Sequence, residues 1–344
     1  MKSLYISQPG CSVSLKQEQL LVKRNKEILQ TVQLPHLEQI FIFSASQVTT
    51  QAIHACLWRQ IPLAKPPKRG IVYLSRMGRC YGRLTPIESK FRHLPRSQHN
   101  LSPDHRLITA RSIIVTKIRN SRVLLQRQSR RLKLDLSKIN KGLHYLEHRA
   151  QEATTTEQLM GFEGAAAAAY FGTLGQCITG PGFTFKKRWQ RLTFGESRRP
   201  PEDPVNAMLS FGYQVLWNHL HSLIEIAGLD TYEGVLHTGS DRHAALVSDL
   251  LEEFRAPIVD SLTLYAINRG IMDVNEDFDY PENACYLNTT GCRKFLGLLI
   301  RRMEEELDFN GTPQPRWAIL NAQVRSFTQF ITDPDRLYIP YAIR

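Results

Sequence analysis

Short apolar runs separated by polar turns open the chain. Residues 4–7, 12–15, 20–23, 28–32 and 40–43 are rich in leucine, isoleucine, valine and aromatic side chains, and turns such as Arg24-Asn25-Lys26 divide them. Runs of this kind, bounded by turn residues, read as β-strands. A helix is expected over about 48–59, where Ile53, Cys56 and Leu57 share a face. Two further strands, 71–74 and 80–84, meet at a turn containing Gly78.

The pattern then changes. From about residue 86 to 105 the chain is basic, polar and broken by proline, as in Ser89-Lys90-Phe91-Arg92-His93-Leu94-Pro95-Arg96, and reads as a linker. Beyond it the apolar period lengthens to that of helices. Ile108, Ile114, Ile118 and Leu125 mark one helix over 107–131. Thr154 and Glu157 have capping-box spacing, so a second helix should start there and run through Glu163 to about Phe171. Asp203-Pro204 places an N-cap before a proline at the first helical position, and Gly228 stops the helix that follows. A helix from near Asp241 should kink at Pro257, and one from about Thr290 should end near Glu304-Glu305-Glu306. The expected class is therefore α+β: a β-domain over 1–87, a linker over 88–106 and a mostly helical catalytic domain over 107–344.

Charge narrows the partner. Lysine and arginine number 44 against 32 acidic residues, a formal net charge of +12. Such an excess favours an anionic partner, nucleic acid before an anionic membrane. No apolar stretch reaches the roughly 18 residues of a membrane span. Nothing after Met1-Lys2-Ser3 resembles a signal peptide. Cys11, Cys56, Cys80, Cys177, Cys285 and Cys292 form no Cys-x-x-Cys pair. Reduced, mostly buried thiols in a cytoplasm are expected.

Three segments carry candidate chemistry. Gly161-Phe162-Glu163-Gly164-Ala165 sets a carboxylate among small apolar neighbours, where a buried charge needs a partner or a metal. The stretch from Gly228 to His237 is a glycine-bracketed loop ending in an imidazole. In Ser248-Asp249-Leu250-Leu251-Glu252-Glu253-Phe254-Arg255, Asp249 and Glu252 share a helical face. Taken singly, each has a plainer reading: an exposed or arginine-paired glutamate, a structural histidine and a solvated charged turn. Taken together, two carboxylates and one imidazole make a plausible pocket for Mg²⁺ or Mn²⁺. The basic run Lys186-Lys187-Arg188, with Trp189 and Arg191, is a candidate for DNA-backbone contact, with surface solubility as the equal alternative.

The same segments resemble, in order, the motifs of the CRISPR-associated spacer integrases. Leu4-Tyr5-Ile6 with Leu20-Leu21-Val22, then Arg79-Cys80-Tyr81-Gly82-Arg83-Leu84, are similar to that family's N-terminal domain. Lys117-Ile118-Arg119-Asn120 is similar to a stretch of its first long helix. The segments around Glu163, Asp203-Pro204-Val205-Asn206-Ala207-Met208-Leu209-Ser210, His237 and Glu252 are closer matches. The resemblance implies a divalent metal held by Glu163, His237 and Glu252, with Asp249 as a further catalytic-site acid and Asn206 as a supporting or DNA-contacting residue. It also implies a homodimer that works on double-stranded and branched DNA with a small CRISPR adaptation partner. The implied reaction inserts new spacer DNA by attack of a 3′-hydroxyl on a phosphodiester. Two rivals remain at this stage: a metal-dependent repair nuclease of branched DNA, and a non-catalytic basic scaffold. The chain departs from the family pattern in three places: a longer basic linker, an apparent insertion at 64–69, and no proline after His237.

Overall fold

A computed structural model describes residues 2–43, 45–58, 70–75, 78, 80–84, 93–188, 201–237, 239, 243–282, 284–309 and 311–343. The apparent insertion at 64–69, together with Trp189 and Arg191 of the basic run, lies outside the described residues. The expected α+β organisation is present: strands dominate the first part and helices the rest.

Among the described residues, the N-terminal part holds eight strands and one helix: β1 (Lys2–Ile6), β2 (Ser12–Lys16), β3 (Gln19–Arg24), β4 (Glu27–Gln33), β5 (Leu37–Ile42), β6 (Gln47–Val48), α1 (Thr50–Trp58), β7 (Gly70–Leu74) and β8 (Cys80–Leu84). They make two four-stranded sheets, ordered β1-β5-β7-β8 and β4-β3-β2-β6. Asn25 and Lys26 adopt φ of 48° and 70° between β3 and β4. A two-residue hairpin turn demands this backbone region because its twist matches that of the flanking strands.

The central strands β5 and β7 of the first sheet are buried on both faces, which explains their apolar runs. Because side chains alternate across a strand, Leu4, Ile6, Ile40, Ile42 and Ile71 enter a small core with α1 and the second sheet. Phe41, Phe43, Val72 and Leu74 point the other way, into the core of the helical part. Across that seam Tyr5 stacks on Trp317 at 5.8 Å, and Phe41 on His219 at 5.3 Å. Arg83 Nη2 donates to Asn218 Oδ1 at 2.8 Å, and Asn218 Nδ2 donates to the Gly78 carbonyl at 2.8 Å.

The helical part contains α2 (His93–His99), α3 (Pro103–Leu132), α4 (Ser137–Gln151), α5 (Thr156–Leu174), α6 (Pro204–Ala227), α7 (Ala245–Leu251) and α8 (Ser261–Asn268). The hairpin β9 (Phe278–Asp279) and β10 (Tyr286–Leu287) precedes α9 (Thr289–Glu304). After it come β11 (Glu306–Phe309), β12 (Thr312–Pro315) and α10 (Arg316–Thr332). The α3 start differs from expectation because Ser102 caps it, accepting from His105 N, with Pro103 in the first turn. Ile108 is exposed, and the buried stripe runs through Ala110, Ile113, Ile114 and Ile118. The N-cap of α5 is Thr155, one residue past Thr154, and it accepts from Gln158 N. Asp203 caps α6 as expected, and Gly228 ends it at φ +83°. At Pro257 the chain does not kink a continuous helix: α7 ends before a turn, and a wide π-helical stretch, Arg255–Asp260, leads into α8. Proline removes one backbone donor, and a wider turn accommodates that loss.

Within the expected linker 88–106, the described part is α2 and the first turn of α3, helix rather than tether. It grips the loop after α6. Gln98 Nε2 donates to the carbonyls of Asp230 and Glu233 at 2.8 and 2.6 Å, and Arg106 Nη1 donates to that of Gly234 at 2.6 Å. None of the six cysteines forms a disulfide, and Cys11, Cys56, Cys177 and Cys285 are buried. Among the described residues no helix is long and apolar enough to cross a membrane.

Candidate active site

Four elements converge where the sequence placed its chemistry. Lys117 comes from α3, Glu163 from α5, and His237 from the loop after α6. Asp249 and Glu252 come from α7 and the turn that follows it. The small neighbours of Glu163 leave its side chain only partly covered, at 18% exposure, while Glu252 is almost wholly buried. One cation joins the two: Lys117 Nζ lies 2.5 Å from Glu163 Oε1 and 2.7 Å from Glu252 Oε2. The other oxygen of Glu252 faces Arg255 Nη2 at 3.1 Å.

Burial alone would force Glu252 to hold its proton. The charges of Arg255, Lys117 and His237 outweigh that desolvation and pull its pKa down to about 2. Glu252 is therefore held ionised near neutral pH by cations that the protein itself provides.

Asp249 is wholly buried and acts as the anchor of the histidine loop. Its Oδ2 accepts from the backbone N–H groups of Val235 and Leu236 at 2.6 and 3.0 Å. Its Oδ1 accepts from His237 N at 3.1 Å and stands 2.6 Å from His237 Nδ1. Both carboxylate oxygens are thus occupied. In its neutral form the imidazole, facing the Asp249 carboxylate through Nδ1, carries its one proton there and leaves the Nε2 lone pair for another partner. Burial works to lower the His237 pKa, but Asp249, aided by Glu252, outweighs it and raises the value. The loop approaches this carboxylate closely because residue 234 is glycine: a Cβ there would lie 2.7 Å from Asp249 Oδ2 and 2.8 Å from the His237 carbonyl oxygen. A groove of about 920 Å³ opens beside His237, bordered by Arg106, Leu107, Thr156, Tyr232 and Leu236.

Among the described residues, no three His, Cys, Asp or Glu side chains stand close enough together to hold a metal as they are. The donor set nevertheless fits a hard divalent cation. Two carboxylates from separate elements already share one positive charge, and an imidazole fixed through Nδ1 lies beside them. Mg²⁺ takes oxygen ligands at about 2.1 Å, so to bind it the carboxylates would have to close inward and the Lys117 ammonium would have to withdraw.

The basic run divides. Lys186 and Lys187 are exposed. Arg188 turns inward: its Nη1 donates to Asn206 Oδ1 at 2.8 Å and Ser210 Oγ at 3.1 Å, and its guanidinium packs over buried Tyr213 at 5.3 Å. Asn206 is fully buried and donates to Asp203 Oδ2 and the Lys187 carbonyl. These two residues hold the 186–188 segment against α6, Asn206 without exposed surface and Arg188 half-buried. Lys117 and Arg255 were missed as site residues. Their signal was present, since Lys117 is three and four residues from the buried Ile114 and Ile113, and a lysine on an apolar stripe needs a buried anion.

The model of the family described as CRISPR associated protein Cas1 matches residues 4–300. The chain belongs to the Cas1 family. It is 32% identical over 99% of its length to a Cas4/Cas1 exonuclease–endonuclease fusion of Rhodospirillum rubrum, of which it spans 57%. It is 30% identical to a Cas1 endonuclease of Chlorobaculum tepidum, with 100% of this chain and 99% of that protein aligned. Its fold is similar to that of a casposase bound to integration product, with a TM-score of 0.79 at 23% identity over 97% of this chain and 91% of that one. The strand-rich start and helical remainder described above are thus the Cas1 fold.

Proposed function

We propose that this chain is a divalent-metal-dependent DNA integrase that inserts spacer DNA into a CRISPR array. The observation that carries the reading is the pair Glu163 and Glu252, drawn from separate elements onto one cation beside an imidazole whose Nδ1 is committed to Asp249. Membership of the Cas1 family supports it.

In this reading Glu163, Glu252 and His237 would hold Mg²⁺ or Mn²⁺. The ion would supply Lewis acidity at the scissile phosphate. Asp249 fixes the imidazole and the loop that carries it, and does not itself ligate. Arg255 keeps Glu252 ionised. The 3′-hydroxyl of an incoming DNA end attacks a phosphodiester at the edge of a repeat. One P–O bond forms, the bond to the target strand's own 3′-oxygen breaks, and that oxygen takes up a proton. One ester replaces another, so the joining needs no ATP. Lys186 and Lys187 contact the DNA backbone, where charge governs affinity. The working assembly is a homodimer with a small adaptation partner, on double-stranded and branched DNA.

The test is strand transfer on branched DNA with Mn²⁺ or Mg²⁺, with and without the partner protein. Joined products support the integrase. Nicks without joining mean that water is the nucleophile and favour a repair nuclease.

A further inference from the structure

The position of Lys117 carries a consequence for how the site is loaded. Its ammonium stands between Glu163 Oε1 and Glu252 Oε2, at 2.5 and 2.7 Å, where a cation bound by both carboxylates would stand. The side chain is largely buried, at 17% exposure, and comes from the middle of the 30-residue helix α3. The other side of Glu252 is taken by Arg255, so Oε2 is the oxygen turned toward Glu163. A divalent ion cannot join these two carboxylates while the ammonium remains. Two cations of total charge +3 would repel one another at contact distance in a partly buried site. Nor can the ammonium leave without cost, since a half-buried lysine needs another anion or open water.

We propose that Lys117 is an internal counter-ion that makes metal loading conditional on DNA. This rests on the metal site proposed above and adds to it. Without DNA, Lys117 neutralises Glu163 and Glu252 and competes with the ion. When DNA lies in the site, a backbone phosphate gives the displaced ammonium a new partner, and the carboxylates pass to the metal. DNA and metal then tighten each other's binding by the same factor, as linkage requires. The device restrains the metal-loaded site from forming away from its substrate.

The experiment measures Mn²⁺ affinity of the full chain by electron paramagnetic resonance of free Mn²⁺. It uses wild type, Lys117→Met, Lys117→Gln and Glu252→Gln, each with and without a branched DNA duplex. Thermal unfolding identifies the Lys117 variant that remains folded. In the DNA-free protein, that variant should bind Mn²⁺ at least about fivefold more tightly than wild type, within the usual range of coupling between sites. DNA should strengthen Mn²⁺ binding to wild type by a similar factor and leave the Lys117 variant nearly unchanged. A merely structural lysine would give weaker or unaltered metal binding on removal, and that result overturns the proposal. Equal DNA enhancement in wild type and variant also overturns it. The metal site itself is judged separately: Glu252→Gln should lose Mn²⁺, and undiminished binding there rejects the site rather than the role of Lys117.

Discussion

Replacing Asp249 by alanine removes the acceptor for three backbone N–H groups and for the His237 ring in one step. The N–H groups of Val235, Leu236 and His237 all reach this carboxylate, at 2.6 to 3.1 Å, and Asp249 has no exposed surface. A buried donor left without a partner costs about 1–3 kcal/mol, and water entering the vacated space recovers part of it. The expected loss of stability is therefore about 3–5 kcal/mol, comparable to breaking a buried ion pair. Asp249→Asn keeps one acceptor oxygen but turns an NH₂ toward the donors of His237, so about 2 kcal/mol is expected. Both changes release the Nδ1 proton from its acceptor, and joining should fall by about 10- to 100-fold in the folded fraction, as for other residues that orient metal ligands. Denaturant unfolding gives the first quantity, and strand transfer on the folded variant gives the second. The reasoning is refuted if Asp249→Ala unfolds within about 1 kcal/mol of wild type, or if a destabilised Asp249→Asn joins DNA at the wild-type rate.

Three further outcomes follow from the same geometry. Gly234→Ala places a Cβ 2.7 Å from Asp249 Oδ2 and 2.8 Å from Ala245 Cβ, so it should cost about 1–3 kcal/mol and lower joining; an unchanged unfolding midpoint would contradict the close approach. His219, buried between Phe41 and Trp317, has its pKa pushed by desolvation from 6.5 down to about 3. The unfolded chain takes up this proton first, so stability falls as pH drops below about 6.5, by up to about 1.4 kcal/mol per pH unit. His219→Phe should flatten that acid limb in unfolding curves at pH 7 and pH 5, and parallel curves would count against it. Changing both Lys186 and Lys187 to alanine should reduce the salt dependence of DNA binding by about 1 to 2 in log–log slope without altering stability. An unchanged slope removes them from the interface.

Local signals in the sequence were legible where a single residue type has one physical use. Asp203-Pro204 and Gly228 bounded α6 because a cap, a first-turn proline and a positive-φ glycine leave few alternatives. Around α5 the capping motif was read one residue early, because Thr154 and Thr155 are both competent and only the backbone decides between them. The segment 88–106 read as a linker because its polar residues look solvated. Gln98 and Arg106 instead serve carbonyls of a loop more than a hundred positions away, which no local pattern reveals. Lys117 had a local signal in its spacing from Ile113 and Ile114, but its helix is crowded with arginine and lysine, and its anions Glu163 and Glu252 come from far along the chain. Arg188 differs from its neighbours in the run. It lies in a basic run whose first two members are exposed, while its own guanidinium packs over Tyr213. Glu163, His237 and Glu252 were each ambiguous alone, and their order along the chain singled them out.

The most direct test of the account is Glu163→Gln, which keeps the shape of the side chain and removes the charge that Lys117 and the metal would share. Metal-dependent strand transfer and DNA affinity are measured on the same folded variant. Joining should fall by at least about 100-fold while DNA affinity, measured without divalent metal, stays within about threefold, because backbone charge dominates binding. Joined products at the wild-type rate from Glu163→Gln would contradict the central claim.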